Sequence, residues 1–289
     1  MIGEQRSATG LKGEIARLAE RYDPRASYEV KSEDVEYRHD GQRSWLARVY
    51  QPQGSGPFPT LIEIHGGAWN NGDRLQNVPN DEALAASGLV VAAIDFRMGG
   101  DAPYPSSLQD INYAIRWLKV HAADFNGTAA ALGGIGFSSG GHLIILSAMR
   151  PADPRYTALP FDEAPDVDAR LAYAIACWPV IDPYARTQHA RATGRQNLVE
   201  SGLRFFGDEA GMKEGNPQEL LERGEQAELP PTLILIGAAD DILTPTMAER
   251  FVTEYSKAGG VIELAKYPGA GHGFTREPTD NAARALAAG

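Results

Sequence analysis

Residues 136–140 read Gly136-Phe137-Ser138-Ser139-Gly140, and this stretch decides how the rest of the chain is interpreted. It lies between the apolar run 130–137, which predicts a buried strand, and the segment 140–149, which predicts a helix. A turn from strand to helix this sharp needs small residues around the serine, and it leaves the hydroxyl exposed above the sheet edge. The helix N-terminus also favours negative charge near the serine. The context predicts Ser138 as a nucleophile, although the pentapeptide alone is a weak signal.

A serine hydroxyl needs a general base within hydrogen-bond reach, and that base needs an orienting acid. Downstream of Ser138, the predicted strand 232–236 runs into Gly237-Ala238-Ala239-Asp240, and His272 stands in a glycine-rich loop after the last predicted strand. Taken alone, Asp240 would also suit a helix cap and His272 a surface loop. The order serine, acid, histidine is the order that such a site requires, so we predict the triad Ser138, Asp240 and His272. Asp241 is the competing acid and should point the other way.

A third glycine-containing motif lies upstream, where the predicted strand 60–64 runs into His65-Gly66-Gly67-Ala68-Trp69. Acyl transfer develops an oxyanion, and backbone N–H groups aimed at it supply several kcal/mol of stabilisation, on the order of 3–4 for one donor. Glycine lets the backbone approach a substrate closely. We assign this oxyanion hole to the N–H groups of Gly67, Ala68 and Ser139, and an ordinary glycine turn is the alternative.

Two strand-like stretches, 34–38 and 45–50, are joined at Asp40-Gly41, a dipeptide that suits a hairpin turn. From there to residue 267 strands and helices alternate, and the stretch 171–181 is predicted to be one of the strands. This alternation predicts a mostly parallel central sheet with helices on both faces. The interval 182–228 breaks this alternation, because it is polar and glycine-rich and shows short helical patches but no strand pattern. We interpret it as a cap insertion in a single domain spanning residues 1–289, with an amphipathic helix at about 11–22.

Composition narrows the function classes. A net charge of −11 among 289 residues would repel phosphate backbones, which argues against nucleic acid as a partner. The N-terminal residues show no apolar core of a secretory signal and no run is long enough to span a bilayer, so a cytoplasmic protein without a membrane partner is expected. The lone Cys177 stands among apolar residues and reads as a buried thiol. No metal-ligand spacing is recognisable, and no metal is expected.

Five motifs together resemble the α/β-hydrolase esterases of the hormone-sensitive-lipase and feruloyl-esterase-like groups: His65-Gly66-Gly67-Ala68-Trp69, Asp95-Phe96-Arg97, Gly136-Phe137-Ser138-Ser139-Gly140-Gly141-His142, Gly237-Ala238-Ala239-Asp240 and Gly271-His272-Gly273-Phe274. The motif that ends in Trp69 is also similar to that of kynurenine formamidases, which cleave an N-formyl amide. The resemblance implies the α/β-hydrolase fold, a mobile cap over the substrate and no cofactor. The chain departs from the lipase-like pattern at Phe137, Ser139 and Ala68, which leaves the subfamily open.

The leading hypothesis is hydrolysis of a carboxylic ester of a small molecule, and the same groups would also suit an amide or formamide. A non-catalytic ligand-binding protein or an interaction scaffold is a different class that the fold permits. Aromatic side chains near strand ends or in the cap are the candidates for the substrate pocket: Trp69, Phe137, Trp178, Phe205 and Phe206. His142 is expected to be a packed structural residue, and Arg97 and Asp110 a buried ion pair. The oligomeric state, including a homodimer, is left open.

Overall fold

The computed structural model describes residues 26–276 and 280–286. The helix predicted at about 11–22 lies outside the described residues. No helix in the described part of the chain is both long and apolar enough to cross a membrane.

A single twisted sheet forms the centre of the molecule, and its eight strands run in the order β1-β2-β4-β3-β5-β6-β7-β8. The strands are β1 (Val30–His39), β2 (Ser44–Pro52), β3 (Phe58–Ile64), β4 (Val90–Ile94), β5 (Gly127–Phe137), β6 (Ala174–Cys177), β7 (Thr232–Gly237) and β8 (Ile262–Tyr267). β2 pairs antiparallel with both β1 and β4, and the pairs from β4 to β8 are parallel. The carboxyl ends of the parallel strands therefore meet at one edge of the sheet.

Helices cover both faces of the sheet and connect its parallel strands. They are α1 (Val78–Ala86), α2 (Ser106–His121), α3 (Ser139–Met149), α4 (Pro183–Ala192), α5 (Gln196–Phe206), α6 (Glu209–Glu214), α7 (Pro217–Glu222), α8 (Pro245–Lys257) and α9 (Asp280–Leu286). Apolar side chains on the two faces form two buried clusters. This mostly parallel sheet between helical layers, with an antiparallel start, is the predicted α/β-hydrolase fold.

Within the described residues, the predicted alternation of strands and helices is confirmed with small shifts at the ends of elements, and one strand needs correction. The stretch 171–181 was expected to be one long strand, but only Ala174–Cys177 pairs in the sheet. The strand stops there because Trp178 adopts a φ of 37°, outside the extended region. The hairpin turn is confirmed, since Gly41 takes a φ of 89° and Asp40 Oδ1 accepts hydrogen bonds from the backbone N–H of Gln42 and Arg43.

Residues 182–228, here called the inserted segment, hold the four helices α4 to α7 between β6 and β7. Asp182 begins the segment by accepting a hydrogen bond from the Ala185 N–H at the N-terminus of α4. α5 turns a strongly amphipathic face inwards, and its buried residues include Phe205 and Phe206. The inserted segment therefore packs into the same apolar cluster as the sheet.

The predicted ion pair of Arg97 with Asp110 is confirmed, with Arg97 Nε 2.9 Å from Asp110 Oδ2. Asp110 is fully buried, and Arg38 donates a second charged hydrogen bond to its other oxygen at 2.8 Å. The two arginines compensate the buried carboxylate. Together they link β1, the end of β4 and α2.

Candidate active site

The turn between β5 and α3 holds Ser138 in a strained backbone conformation, with φ 55° and ψ −115°. Such a conformation costs about 1–3 kcal/mol in a residue other than glycine. The surroundings leave no room for larger neighbours: a Cβ at Gly136 would lie 2.3 Å from the Gly140 carbonyl oxygen, and one at Gly140 would lie 2.1 Å from that of Ile64. The Ser138 N–H donates to the Cys177 carbonyl at 2.9 Å, which ties the turn to β6. The strain and the close packing fix the serine at the sheet edge.

Three side chains from three different loops form a hydrogen-bonded relay. Ser138 Oγ lies 3.2 Å from His272 Nε2, and His272 Nδ1 lies 2.9 Å from Asp240 Oδ2. Because a carboxylate only accepts, Nδ1 carries the proton of a neutral imidazole and leaves Nε2 free to accept the serine hydroxyl. The structure thus brings together the three residues of the predicted triad in the geometry of a nucleophile, a base and an orienting acid.

Asp240 and Asp241 face different surroundings. Asp240 is buried, and its second oxygen accepts the backbone N–H groups of Ile242 and Leu243, both at 2.9 Å. Asp241 is exposed and pairs with Arg195 at 2.5 Å. The loop after β7 therefore turns only the first of the two carboxylates towards His272.

The glycine motif after β3 lies beside the nucleophile, since a Cβ at Gly66 would lie 3.3 Å from the Ser138 Cβ. The Gly67 carbonyl accepts the N–H groups of Asn70 and Asn71, each at 3.1 Å. In a trans peptide the following N–H, that of Ala68, points the opposite way. Within the described residues, the N–H groups of Gly67, Ala68 and Ser139 have no hydrogen-bond acceptor. These three donors are therefore unpaired in the described chain, and their place in an oxyanion hole stays a prediction.

The next residue, Trp69, is held in a dense set of contacts. Its backbone has a φ of 63°, after a φ of 52° at Ala68. Its indole N–H donates to His142 Nδ1 at 3.1 Å, and His142 Nε2 donates to the Gly215 carbonyl at 2.7 Å. Burial lowers the pKa of His142 to about 4, so this imidazole is neutral at pH 7. His142 is thus the packed structural residue expected from the sequence.

The five aromatic residues predicted to line a substrate pocket are placed in the core by the structure. Trp69, Phe137, Trp178, Phe205 and Phe206 are all at most 6% exposed. Trp69 and Phe205 stack with a 5.5 Å centroid distance and an interplanar angle of 5°. The inserted segment covers Trp69 through Phe205 and Phe206, whereas Phe137 and Trp178 lie in the other apolar cluster. A role for these side chains in substrate binding stays a prediction.

Arg186 of α4 is a buried cation that sequence reasoning did not single out. Its guanidinium carbon lies 5.3 Å from the Trp69 ring centre, and Nη1 donates to the Leu198 carbonyl at 2.6 Å. Burial lowers the pKa of Arg186 to about 10, so it remains charged near neutral pH. The indole ring therefore compensates part of the cost of burying this charge.

Two buried carboxyl groups beneath the glycine motif were also missed. Glu63 of β3 accepts a 2.8 Å hydrogen bond from Asn77, but its other oxygen and both oxygens of Asp81 find no partner in the described chain. Burial raises the pKa of Glu63 to about 8 and that of Asp81 well above its usual range. The sequence carried one signal for this pair, a charged residue within the apolar run Leu61-Ile62-Glu63-Ile64.

A solvent-open cavity of about 460 Å³ lies against the histidine loop. Its lining includes residues 269–274, Arg276 and Asn281. Its size is within the range of small-molecule sites, roughly 300–1,000 Å³.

Comparisons with known proteins identify similar sequences and folds. A family model named BD-FAE matches residues 48–255. Among curated proteins, the chain is similar to the esterase LipC of Mycobacterium tuberculosis, with 30% identity over 75% of this chain and 53% of the relative. It is also similar to the probable carboxylic ester hydrolase LipM of the same organism, with 29% identity over 83% of this chain and 56% of the relative. The chain thus spans about half the length of these relatives.

Solved structures show the same architecture. A thermophilic esterase from Thermogutta terrifontis with propionate bound matches with 26% identity and a TM-score of 0.69, covering 91% of each chain. Esterase B from Lactobacillus rhamnosis matches with 22% identity and a TM-score of 0.72, covering 96% of this chain and 91% of the other. At 22% identity, the match to esterase B supports the fold alone.

Proposed function

The chain belongs to the BD-FAE family of α/β-hydrolase-fold proteins, and from this premise we propose that it is a serine hydrolase that cleaves carboxylic esters of small to medium size. The observation that carries the proposal is the relay from Asp240 through His272 to Ser138, with distances of 2.9 Å and 3.2 Å. A protein that only bound a ligand would have no use for a base held in one tautomer beside a strained serine.

In the proposed reaction, Ser138 Oγ attacks the ester carbonyl carbon while His272 Nε2 takes the hydroxyl proton. The carbonyl oxygen becomes an oxyanion, and the free N–H groups of Gly67, Ala68 and Ser139 stabilise it. The bond from the acyl carbon to the alkoxy oxygen then breaks, and His272 gives its proton to the departing alkoxide, which leaves as an alcohol. The acyl group stays bonded to Ser138 Oγ as an acyl-enzyme. A water molecule, deprotonated by His272, attacks the acyl carbon and releases the carboxylic acid. Asp240 holds the imidazole throughout and stabilises its charged form.

The substrate class is proposed from the similar Thermogutta terrifontis esterase, which is described with propionate and with butyrate bound. We therefore propose short acyl esters as substrates. The proposed mechanism uses no cofactor, and the cytoplasmic location expected from the sequence stays a prediction.

The test is hydrolysis of p-nitrophenyl esters from acetate to decanoate, beside N-formylaniline. We expect ester hydrolysis with a preference for short acyl chains, and fluorophosphonate labelling on the peptide that carries Ser138. Ser138→Ala should abolish both labelling and turnover at unchanged melting temperature, a loss of at least about 10³-fold.

Faster cleavage of the formyl amide would assign the same triad to an amidase. Absence of both turnover and labelling in the wild-type protein would instead place the chain among ligand-binding members of the fold.

A further inference from the structure

The peptide unit that joins Ala68 to Trp69 is held at both ends by serine hydroxyls from other parts of the chain. Its carbonyl oxygen accepts a hydrogen bond from Ser201 Oγ of α5 at 2.6 Å. Its N–H donates to Ser139 Oγ of α3 at 3.1 Å. The two hydroxyls fix the plane of a peptide whose flanking residues both have positive φ values.

A side-chain amide closes this network. Asn70 Nδ2 lies 2.7 Å from the Ala68 carbonyl and 3.0 Å from both the Ser201 carbonyl and its hydroxyl oxygen. The Ala68 carbonyl thus accepts from the glycine motif itself and from the inserted segment. Since Ser201 lies 131 residues from Asn70 in sequence, this contact exists only because the inserted segment folds back over the motif.

The held peptide adjoins the N–H that would bind the oxyanion. Ala68 contributes its N–H to the proposed hole, while its carbonyl is the group that Ser201 and Asn70 bind. The N–H of Ala68 lies in the preceding peptide unit, which shares the Ala68 Cα with the held peptide, so fixing the Ala68–Trp69 peptide restrains one end of the unit that carries this N–H. A preorganised hole requires donors that do not reorient during the reaction.

We propose that Ser201 and the Ser139 hydroxyl are positioning residues that hold the oxyanion hole in its active geometry, so that the inserted segment acts on the chemical step through Ala68. This inference rests on the proposed ester hydrolysis. It identifies two hydroxyl groups, those of Ser201 and Ser139, that influence the rate of that reaction. It also gives the inserted segment, interpreted from the sequence as a cap, a role in the chemical step.

The test compares Ser201→Ala with Ser201→Thr, which keeps the hydroxyl, and with Thr193→Ala as a matched control. Thr193 lies in the inserted segment and donates its hydroxyl to the His189 carbonyl at 2.8 Å, away from the glycine motif. The substrate is p-nitrophenyl butyrate. An alkyl trifluoromethyl ketone serves as the second probe, because its adduct with Ser138 places an oxyanion in the hole.

For Ser201→Ala we expect kcat to fall about tenfold with KM changed less than threefold. Affinity for the trifluoromethyl ketone should fall by the same factor as kcat/KM, and the midpoint of the pH–rate profile should not move. Ser201→Thr should recover most of the activity, and Thr193→Ala should match the wild type. Ser139→Ala removes the other anchor, and the double variant should be little worse than the poorer single variant, because both act on one peptide.

A loss confined to KM, a loss without weaker ketone binding, or an equal loss in Thr193→Ala would overturn the positioning role. Fully additive effects of the two serine variants would also overturn it. A wild-type protein that neither turns over esters nor binds the ketone would overturn the proposed function, and this inference with it. An active wild type with an unimpaired Ser201→Ala would overturn the inference alone.

Discussion

The two halves of the candidate site are supported in different ways. The relay half, at the ends of β5, β7 and β8, is held by direct bonds among its own members, since Asp240 binds His272 and also the backbone of its own loop. The oxyanion half, at the end of β3, depends on groups outside its loop. Ser201 and Phe205 of the inserted segment hold it from above, and the partly unpaired Glu63 lies below it in β3.

This difference predicts how each half responds to damage. The relay is a local unit, so removing one of its groups should abolish chemistry and leave the fold unchanged. The oxyanion half shares its contacts with the core, so activity and stability should change together there. The three predictions below test this contrast.

The largest effect is expected for Asp240→Asn. Losing the carboxylate lets the His272 imidazole adopt the wrong tautomer, and kcat should fall by about 10²–10⁴-fold at nearly unchanged melting temperature. Asp241→Asn is the matched control, and it should stay within about twofold of the wild type because Asp241 is exposed and pairs only with Arg195 in the described chain. Steady-state kinetics of both variants measure this, and equal losses would remove Asp240 from the relay.

Phe205→Ala should affect both stability and rate. Phe205 is fully buried and stacks on Trp69, so the truncation should lower the free energy of unfolding by about 3–5 kcal/mol. Loosening Trp69 should also lower kcat roughly tenfold, and the factor should be the same for short and for long esters.

Phe251→Ala is the control for that variant, because Phe251 is equally buried in α8 but packs against Tyr255. It should lose comparable stability in denaturant titrations while keeping kcat in the folded protein. A changed acyl-length preference in Phe205→Ala would instead show that Phe205 lines the substrate pocket, as the sequence suggested.

The smallest effect is expected for Glu63→Gln, and it depends on pH. Burial raises the pKa of Glu63 to about 8 from its ordinary value of 4.5, so the folded protein retains a proton that the unfolded chain loses between these values. The wild type therefore loses stability as pH rises through this window. Glutamine keeps the acceptor for Asn77 but does not ionise. Between pH 5 and pH 8, the free energy of unfolding of the variant should therefore rise relative to that of the wild type by about 1–3 kcal/mol.

Urea unfolding at several pH values measures this gain, and the exposed Glu263→Gln variant serves as the control. A stability difference that does not vary with pH would contradict the assignment of a retained proton to Glu63.

Much of the fold was predictable because its signals are local. Apolar runs and turn residues marked the strands and helices. The glycines around Ser138 are required because a Cβ at Gly136 or Gly140 would lie only 2.1–2.3 Å from a backbone carbonyl oxygen. The placement of Trp69 was not predictable in this way. An aromatic residue after a strand end suits a pocket or a core equally, and the choice depends on α5, which lies more than a hundred residues away.

The sequence by itself determined the α/β-hydrolase fold and the identities of the residues that form the relay, because each stands in a turn whose chemistry is local. The sequence also favoured Asp240 over Asp241 as the acid. Only the tertiary structure decided how the loop after β7 turns, and it brings Asp240 to His272 and Asp241 to Arg195. It also decided that Ser201 holds the Ala68 carbonyl and that Glu63 and Asp81 are buried with unpaired oxygens. These are contacts between distant segments, and they are set by how the inserted segment and α1 pack against the sheet.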